Sequence, residues 1–192
     1  MPQLGLAFPL EDDVAYNAVR RLQLAIYHAC GANPALRIVP HISLKQPFHA
    51  KALAPVEAYF DQLAARIEPI EVVLRDIGTF DDGAVVYLDV AHGPELEALR
   101  RTVLAALVDQ FRVRPQEVED DRYHFHVTLA YGLSSEQAGC ALEAIADESP
   151  AYACRLTVLG LFYYATDVWT PYRRARLGRG PLDWPPRGTA GA

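Results

Sequence analysis

Two short segments of the chain share one four-residue pattern: His, then Ile or Val, then Ser or Thr, then Leu. The pattern is HISL at residues 41–44 and HVTL at residues 126–129. Around each copy, polar and apolar residues alternate, which is typical of a strand with one buried face. A chain that carries the same strand twice is most simply built as a duplicated unit.

The residues around the two copies support a duplication. In residues 1–81 the patterning predicts a strand, a helix, the strand with the pattern, a second helix and a further strand, and residues 82–180 repeat this order. We therefore predict a repeated unit of about 80 residues. Residues 181–192 are rich in Pro and Gly and are predicted to carry no regular structure.

Several local signals mark the ends of these elements. Apolar spacing predicts a helix from about 52 to 67. The DDG stretch at 81–83 predicts a turn. Ser134 and Gln137 have the spacing of a capping box at the start of the last helix.

Composition limits the classes of function. The chain has 192 residues, is 51% hydrophobic and carries a formal charge of -6, which favours a single folded body without a large nucleic-acid surface. It has neither a basic segment before an apolar N-terminal stretch nor a run of about 18 apolar residues. We therefore expect a cytoplasmic protein that does not enter a membrane, and we expect a monomer.

The cysteines and one aromatic run are predicted to be structural. Cys30, Cys140 and Cys154 are odd in number, far apart and without a C-x-x-C pair, so we expect reduced thiols. We expect the aromatic run Phe162–Tyr164 to form part of a strand and to pack in the core rather than to bind a nucleobase.

The repeated pattern places chemically active groups on one face of each strand. Residues i and i+2 share a face, so His41 lies beside Ser43, and His124, His126 and Thr128 share a face on the second strand. If the two strands face each other, a neutral imidazole accepts a proton while an imidazolium donates one. The two hydroxyls then donate hydrogen bonds to phosphate oxygens during in-line attack on a phosphodiester, and no metal is needed.

These residues resemble a known family. The paired H-x-[ST]-L tetrads, the KQPF segment after the first tetrad and the VVYLDV strand are similar to those of the two-histidine (2H) phosphoesterase superfamily. This superfamily includes bacterial RNA 2′-5′ ligases and cyclic nucleotide phosphodiesterases, and the resemblance covers nearly the whole chain.

The resemblance implies a fold and a reaction. The fold is a bilobal α+β domain over residues 1–180, with a pseudo-twofold axis, an antiparallel sheet with helices in each lobe, strands that exchange between lobes, and the active site in the cleft. His41 and His126 are implied as the acid and base pair, and Ser43 and Thr128 as phosphate ligands. The implied substrate is a small nucleotide or RNA end with a 2′,3′-cyclic phosphate, and 2′-5′ ligation is the same chemistry in another direction.

Two further residues are candidates for substrate contacts. Lys45 shares a face with His41 if the strand continues regularly, and it then meets the anionic substrate. Tyr131 stands where ligase members tend to have an arginine, and we expect it to stack on a base or ribose.

Two alternatives stay open. A fold of this kind can serve as a nucleotide or RNA-end binding module without turnover. His41, His124 and His126 also have the residue types of a zinc site in a metal hydrolase, although no carboxylate is predicted on the same strand face. We otherwise expect no metal and no cofactor.

Overall fold

A computed structural model describes residues 3–31, 33–80, 83–119, 123–165 and 168–181. The first two residues of the turn predicted at 81–83 lie outside these residues. The tail predicted from residue 181 also lies outside them, apart from Pro181.

The first half of the chain contains the predicted elements in the predicted order. Strand β1 is followed by helix α1, a 3-10 helix, strand β2, helix α2 and strand β3. Their bounds are Gln3–Pro9, Asp13–Cys30, Pro34–Arg37, His41–His49, Leu53–Arg66 and Ile70–Phe80. The helix predicted from about 52 to 67 is therefore confirmed. Helix α1 begins where the Asp12 side chain accepts a hydrogen bond from the Ala15 amide at 2.9 Å.

The second half repeats this order and adds strands at its end. Strand β4, helix α3, a 3-10 helix, strand β5, helix α4 and strands β6 to β9 follow one another. Their bounds are Val85–His92, Pro94–Phe111, Glu117–Glu119, His126–Tyr131, Ser135–Ala144, Ala151–Leu156, Val158–Ala165, Val168–Arg176 and Gly180–Pro181. The predicted capping box at α4 is confirmed, with hydrogen bonds in both directions between Ser134 and Gln137.

The strands form two antiparallel sheets. The first sheet has the order β2-β1-β7-β8-β9 and the second has the order β5-β4-β3-β6. Strand β3 comes from the first half of the chain but lies in the second sheet, while β7 and β8 lie in the first. Each strand with the repeated pattern pairs with the first strand of its own half, β2 with β1 and β5 with β4. The equivalent placement of β2 and β5 gives the fold its pseudo-twofold symmetry.

The helices cover the sheets and complete the α+β fold. Helix α2 packs against β7, β8 and β9, whereas α1 and α4 pack on each other and on the second sheet. Helix α3 contacts β2. Among the described helices, none combines the length and the apolar character required to cross a bilayer.

The apolar positions of the repeated pattern lie in the core. Ile42, Leu44, Val127 and Leu129 are fully buried, while His41, Ser43, His126 and Thr128 are half-buried. The alternation along each tetrad therefore points the aliphatic residues inward and the imidazole and hydroxyl outward, as the sequence predicts.

The prediction of three reduced cysteines is wrong. Cys30 at the end of α1 and Cys140 in α4 form a disulfide with their Cα atoms 5.9 Å apart, and Cys154 is free and buried. The two residues are 110 positions apart in sequence, and only the packing of α1 against α4 brings them together. Spacing rules that look for nearby cysteines cannot detect such a pair.

We expect the disulfide to stabilise the packing of α1 on α4. Because it closes a long loop, replacing Cys30 and Cys140 by Ser is expected to lower the free energy of unfolding by about 2–4 kcal/mol. Urea denaturation of the variant and of the parent protein measures this difference. Replacing the unpaired Cys154 by Ala is the matched control. Two additional alkylatable thiols in the unfolded, unreduced parent protein would contradict the assignment.

Candidate active site

Both strands with the repeated pattern line one cleft between the two sheets. The cleft has a volume of about 560 Å³. His41 and Ser43 enter it from β2, and His126, Thr128 and Tyr131 enter it from β5. The fold thus brings together both imidazoles and both hydroxyls of the sequence-predicted site.

The two imidazoles are held by the same local hydrogen bond. His41 Nδ1 lies 2.8 Å from the Val39 carbonyl oxygen, and His126 Nδ1 lies 2.8 Å from the His124 carbonyl oxygen. A carbonyl only accepts, so each Nδ1 carries a proton and each neutral ring leaves Nε2 as the proton acceptor. In both copies the histidine therefore bonds to the carbonyl two residues earlier, which sets one tautomer and one ring orientation.

Aromatic side chains surround both imidazoles. The ring centroids of His41 and Phe162 lie 5.1 Å apart. The ring centroid of His126 lies 4.9 Å from that of Phe80 and 5.5 Å from that of Tyr87. Such surroundings remove water from the rings. Burial accordingly lowers the pKa of His41 and the pKa of His126 below the usual histidine value. The hydrogen bond to the His124 carbonyl opposes the lowering of the His126 pKa, and the electrostatic interactions of His126 with His124 and His41 add to it.

The backbone carbonyls of the two residues that carry the hydroxyls each accept a hydrogen bond from a side chain in the other half of the chain. The Tyr123 hydroxyl, on the segment that leads into β5, donates to the Ser43 carbonyl in β2 at 2.9 Å. Gln23 Nε2, on α1, donates to the Thr128 carbonyl in β5 at 3.0 Å. We call these two contacts the reciprocal hydrogen bonds, since each half of the chain holds the pattern of the other half.

Polar residues buried near the second tetrad extend this support. Asn33 Nδ2 donates to the Leu129 carbonyl at 2.9 Å, and its side-chain oxygen accepts from the Ala35 amide. Gln23 is 1% exposed and Asn33 is 5% exposed. Sequence reasoning missed both residues, although a Gln among the apolar residues of an amphipathic helix is a signal that could have drawn attention to α1.

Strand β2 does not continue regularly to Lys45, as the expectation for this residue required. The pairing of Leu6 with Lys45 and of Ala7 with Ser43 leaves Leu44 as an extra residue, so the alternation of β2 breaks there. Lys45 is 2% exposed, and its Nζ lies 2.6 Å from Glu119 Oε2. The ammonium therefore neutralises a buried carboxylate, and Lys45 lines the cleft without presenting an unpaired charge to it.

Glu119 is a structural residue that the sequence did not reveal. Besides the Lys45 ammonium, its carboxylate accepts the backbone amides of Gln46 and Gln116, both at 2.7 Å. Arg100 donates to its carbonyl. Glu119 thus anchors the segment before β5 to strand β2, as the first of the reciprocal hydrogen bonds also does.

Tyr131 lies in the cleft, as a candidate substrate contact requires. Burial raises the pKa of its phenol, and the positive charge of Arg37 opposes that shift. Arg37 ends the 3-10 helix that lies against β5, so a positive charge is supplied near Tyr131 from the other half of the chain.

His124 is held outside the acid and base pair. Its Nε2 lies 2.8 Å from Asp89 Oδ1, and its side chain is 42% exposed. The imidazole of His124 is therefore paired with a carboxylate from β4. Strand alternation within residues 123–131 could not predict this contact, because Asp89 lies on a different strand. Across the described ranges, no three residues among His, Cys, Asp and Glu are arranged to hold a metal ion, so His41, His124 and His126 do not form the zinc ligand set considered above.

The aromatic run Phe162–Tyr164 divides between two surfaces. Phe162 and Tyr164 line the cleft. Tyr163 instead packs against the core, and its ring centroid lies 6.2 Å from that of Tyr172. The run therefore contributes both to internal packing and to the lining of the cleft, because alternate residues of a strand point to opposite faces.

Comparison with protein families identifies one matching model. The model described as the 2′-5′ RNA ligase superfamily matches residues 10–168, a range that includes both tetrads. No curated protein matches the chain significantly.

Solved structures share the fold at low sequence identity. The chain is similar to Escherichia coli LigT complexed with 3′-AMP, with 21% identity, a TM-score of 0.56, and 92% of this chain and 98% of that chain covered. It is also similar to TT0787 of Thermus thermophilus, with 16% identity, a TM-score of 0.66 and the same coverage. A structure described as a phosphoesterase has 20% identity, a TM-score of 0.58, and 92% and 99% coverage.

The burial of the imidazoles gives a prediction for their titration. We expect the NMR proton resonances of His41 and His126 to titrate with midpoints below about 6.5, and to return to the usual range when urea unfolds the protein. Since the unfolded chain then binds these protons more tightly, their contribution to stability is present above about pH 6.5 and is lost as the pH falls below it. Midpoints above 7 in the folded protein would contradict the assigned surroundings.

The reciprocal hydrogen bonds give a prediction for stability. Tyr123→Phe removes only the hydroxyl and leaves the Ser43 carbonyl without that donor, so we expect a loss of about 1–2 kcal/mol in the free energy of unfolding. Tyr172→Phe is the matched control, because its hydroxyl bonds Glu57 at the exposed surface. Chemical denaturation measures both variants, and equal effects would argue against a special role for Tyr123.

Proposed function

The chain belongs to the 2′-5′ RNA ligase superfamily, and from that membership we propose that it is a metal-independent phosphoesterase that hydrolyses a cyclic phosphodiester. The proposed substrate is a 2′,3′-cyclic phosphate on a nucleotide or at an RNA end. His41 and His126 act as general acid and general base, and Ser43 and Thr128 hold the phosphate.

The positions of the two imidazoles are the main support for this proposal. His41 and His126 reach one cleft from two different sheets, and an equivalent Nδ1 hydrogen bond leaves Nε2 of each ring as the reactive nitrogen. A phosphodiester displacement needs a proton acceptor and a proton donor on opposite sides of one phosphorus atom. Two equivalent imidazoles on opposing strands supply both.

The proposed reaction transfers one proton on each side of the phosphorus. The neutral imidazole takes a proton from water as the water oxygen forms a bond to phosphorus. The bond from phosphorus to the 2′ or 3′ oxygen of the ring breaks, and the imidazolium protonates that oxygen. The product is a nucleoside phosphate monoester with one free ribose hydroxyl, and the two imidazoles have exchanged their protonation states.

The hydroxyls of Ser43 and Thr128 are proposed to stabilise the transferred phosphoryl group. Each lies two residues from its histidine on the same strand face, and both line the cleft. Donation from both sides to the non-bridging oxygens stabilises the charge on those oxygens in the transition state. The reciprocal hydrogen bonds hold the backbones of both residues, so their positions are set before substrate binds.

The lowered pKa values of the two histidines suit this scheme. Burial favours neutral imidazoles in the free protein, which prepares one of them as the base. An anionic phosphate between the rings favours protonation of the other ring, because opposite charges at short distance stabilise the imidazolium. Substrate binding thus assists in forming the acid. Either ring fits either role, since the roles exchange with the direction of the reaction.

The cleft suits a small nucleotide or an RNA end. Its volume of about 560 Å³ is within the range of small-ligand sites. The net charge of -6 disfavours wide contacts with a nucleic-acid backbone. Structures of Escherichia coli LigT contain 3′-AMP, ATP and NADP+. If a 5′-hydroxyl replaces water as the nucleophile, the same proton transfers form a 2′-5′ linkage, and we include this ligation in the proposal.

The disulfide bears on the cellular location of the protein. A cytoplasmic location and a monomeric state stay predictions. Disulfides are uncommon in reducing compartments. The redox state of Cys30 and Cys140, trapped by alkylation at the moment of cell lysis, reports which compartment holds the protein.

The proposal predicts hydrolysis that resists chelation and depends on both histidines. We expect turnover of 2′,3′-cyclic nucleotides in the presence of EDTA. His41→Ala and His126→Ala are each expected to lower kcat by about 100-fold to 10,000-fold, as for the loss of a general acid or base. Product release is followed by chromatography, which also distinguishes the 2′-phosphate from the 3′-phosphate.

His49→Ala is the matched control for this experiment. His49 lies on the same strand as His41 but is exposed, and it is expected to leave kcat unchanged. Loss of activity with EDTA would instead indicate a metal hydrolase. Nucleotide binding without turnover in the parent protein would indicate a binding module.

A further inference from the structure

One wall of the cleft is built from aromatic side chains that the proposed reaction does not use. Phe162 and Tyr164 of β7 and Trp169 of β8 all line the cleft. We propose that Trp169, with Tyr164, forms a stacking subsite for the nucleobase of the substrate. This inference rests on the proposed function, because it locates the base relative to the phosphate.

The floor of the subsite is a stripe of positions on β1. Gln3, Gly5 and Ala7 alternate along the strand and line the cleft. A Cβ atom placed on Gly5 would lie 3.5 Å from Trp169 Cζ3, which is an ordinary van der Waals contact. The indole therefore lies over the backbone of β1 at Gly5, and a side chain larger than Ala at this position would displace it.

The spacing along β1 relates this floor to the phosphate position. Ala7 pairs with Ser43, whose hydroxyl is proposed to hold the phosphate, and Gly5 lies two residues earlier in β1. Two residues of an extended strand span about 7 Å. A phosphate between the two imidazoles and held by Ser43 therefore lies within the length of a nucleoside from Gly5 and Trp169, and we place the ribose and base along this part of the cleft.

The aromatic wall is continuous with the catalytic end of the cleft. The Phe162 ring lies 5.1 Å from His41. Tyr164 follows on the same face of β7, and its ring centroid lies 5.1 Å from that of Trp169 with the planes inclined by 40°. Both Tyr164 and Trp169 are half-buried, so their rings are supported while part of each surface stays accessible.

The charges around the subsite favour an uncharged aromatic group over further phosphates. Among the described residues that line the cleft, Lys45 is the only Lys or Arg, and its ammonium is bound to Glu119. Gln3 lines the cleft two residues beyond Gly5 and carries an amide that can both donate and accept. A planar heterocycle with polar edges matches an aromatic wall that ends at an amide, whereas a polyphosphate does not.

The test compares two cyclic phosphates that differ only in the base. The substrates are adenosine 2′,3′-cyclic phosphate and 1-O-methylribose 2′,3′-cyclic phosphate. Stacking on an aromatic side chain corresponds to about a 5-fold to 150-fold change in binding for each base. We expect Trp169→Ala to raise KM for the adenosine substrate within that range with little change in kcat, and to leave the base-free substrate unaffected. Trp169→Phe is expected to restore most of the affinity.

Tyr172→Ala is the matched control. Tyr172 is an aromatic residue of the same strand, but it contacts Tyr163 on the opposite side of the sheet from the cleft. We expect this variant to have the same KM and kcat as the parent protein for both substrates. An equal change for both substrates in Trp169→Ala, or no change for either, would overturn the stacking subsite.

A binding measurement separates failure of the subsite from failure of the proposed function. The chain has two tryptophans, so a Trp184→Phe background reports on Trp169 alone. Quenching of its fluorescence by adenosine 3′-monophosphate, but not by 1-O-methylribose 3-phosphate, supports the subsite even if neither cyclic ester is hydrolysed. Hydrolysis of both esters without base-dependent quenching leaves the proposed function standing and overturns the subsite.

Discussion

The geometry of the cleft depends on the two reciprocal hydrogen bonds. The donors are Tyr123 and Gln23, and the acceptors are the carbonyls of Ser43 and Thr128. Each donor comes from outside the strand that it holds, so neither sheet can set the position of its own hydroxyl residue alone. The Tyr123 contact links the segment before β5 to β2 and so resists sliding of one sheet against the other, whereas the Gln23 contact holds β5 against α1. Together with the Lys45–Glu119 pair and the Asn33 side chain, these contacts hold both copies of the pattern at one cleft.

The same packing that aligns the two strands also sets their chemistry. Phe80 and Phe162 lie against the imidazoles, and burial lowers both histidine pKa values. Isolated strands in water would leave the rings at their ordinary pKa and without a fixed partner. Desolvation of the pair, rather than a change of residue type, therefore prepares the rings for proton transfer. The buried Lys45 and Glu119 pair contributes structure instead, since its charges neutralise each other away from solvent.

Much of the fold and the centre of the site were predictable because they depend on local periodicity. Alternation around His41 and His126 predicts strands with one buried face, and the spacing of apolar residues predicts α2 within one or two residues of its bounds. The prediction for the cysteines is wrong and the regular strand assumed at Lys45 is interrupted, for a common physical reason. A bulge at Leu44 reverses the face of Lys45, and helix packing joins Cys30 to Cys140. The spacing of residues along a short segment reveals neither a bulge nor a contact between helices that are far apart in the sequence.

The sequence by itself determined which groups are available and which face of each strand they occupy. The pairing of imidazole and hydroxyl in HISL and HVTL follows from a side-chain period of two, which every strand obeys. Only the tertiary structure decided that the two copies share a cleft, that Gln23 and Tyr123 support them, and that Trp169 lies over Gly5 beside them. These arrangements join residues far apart in the chain, and their positions result from packing between sheets and helices that no single segment encodes.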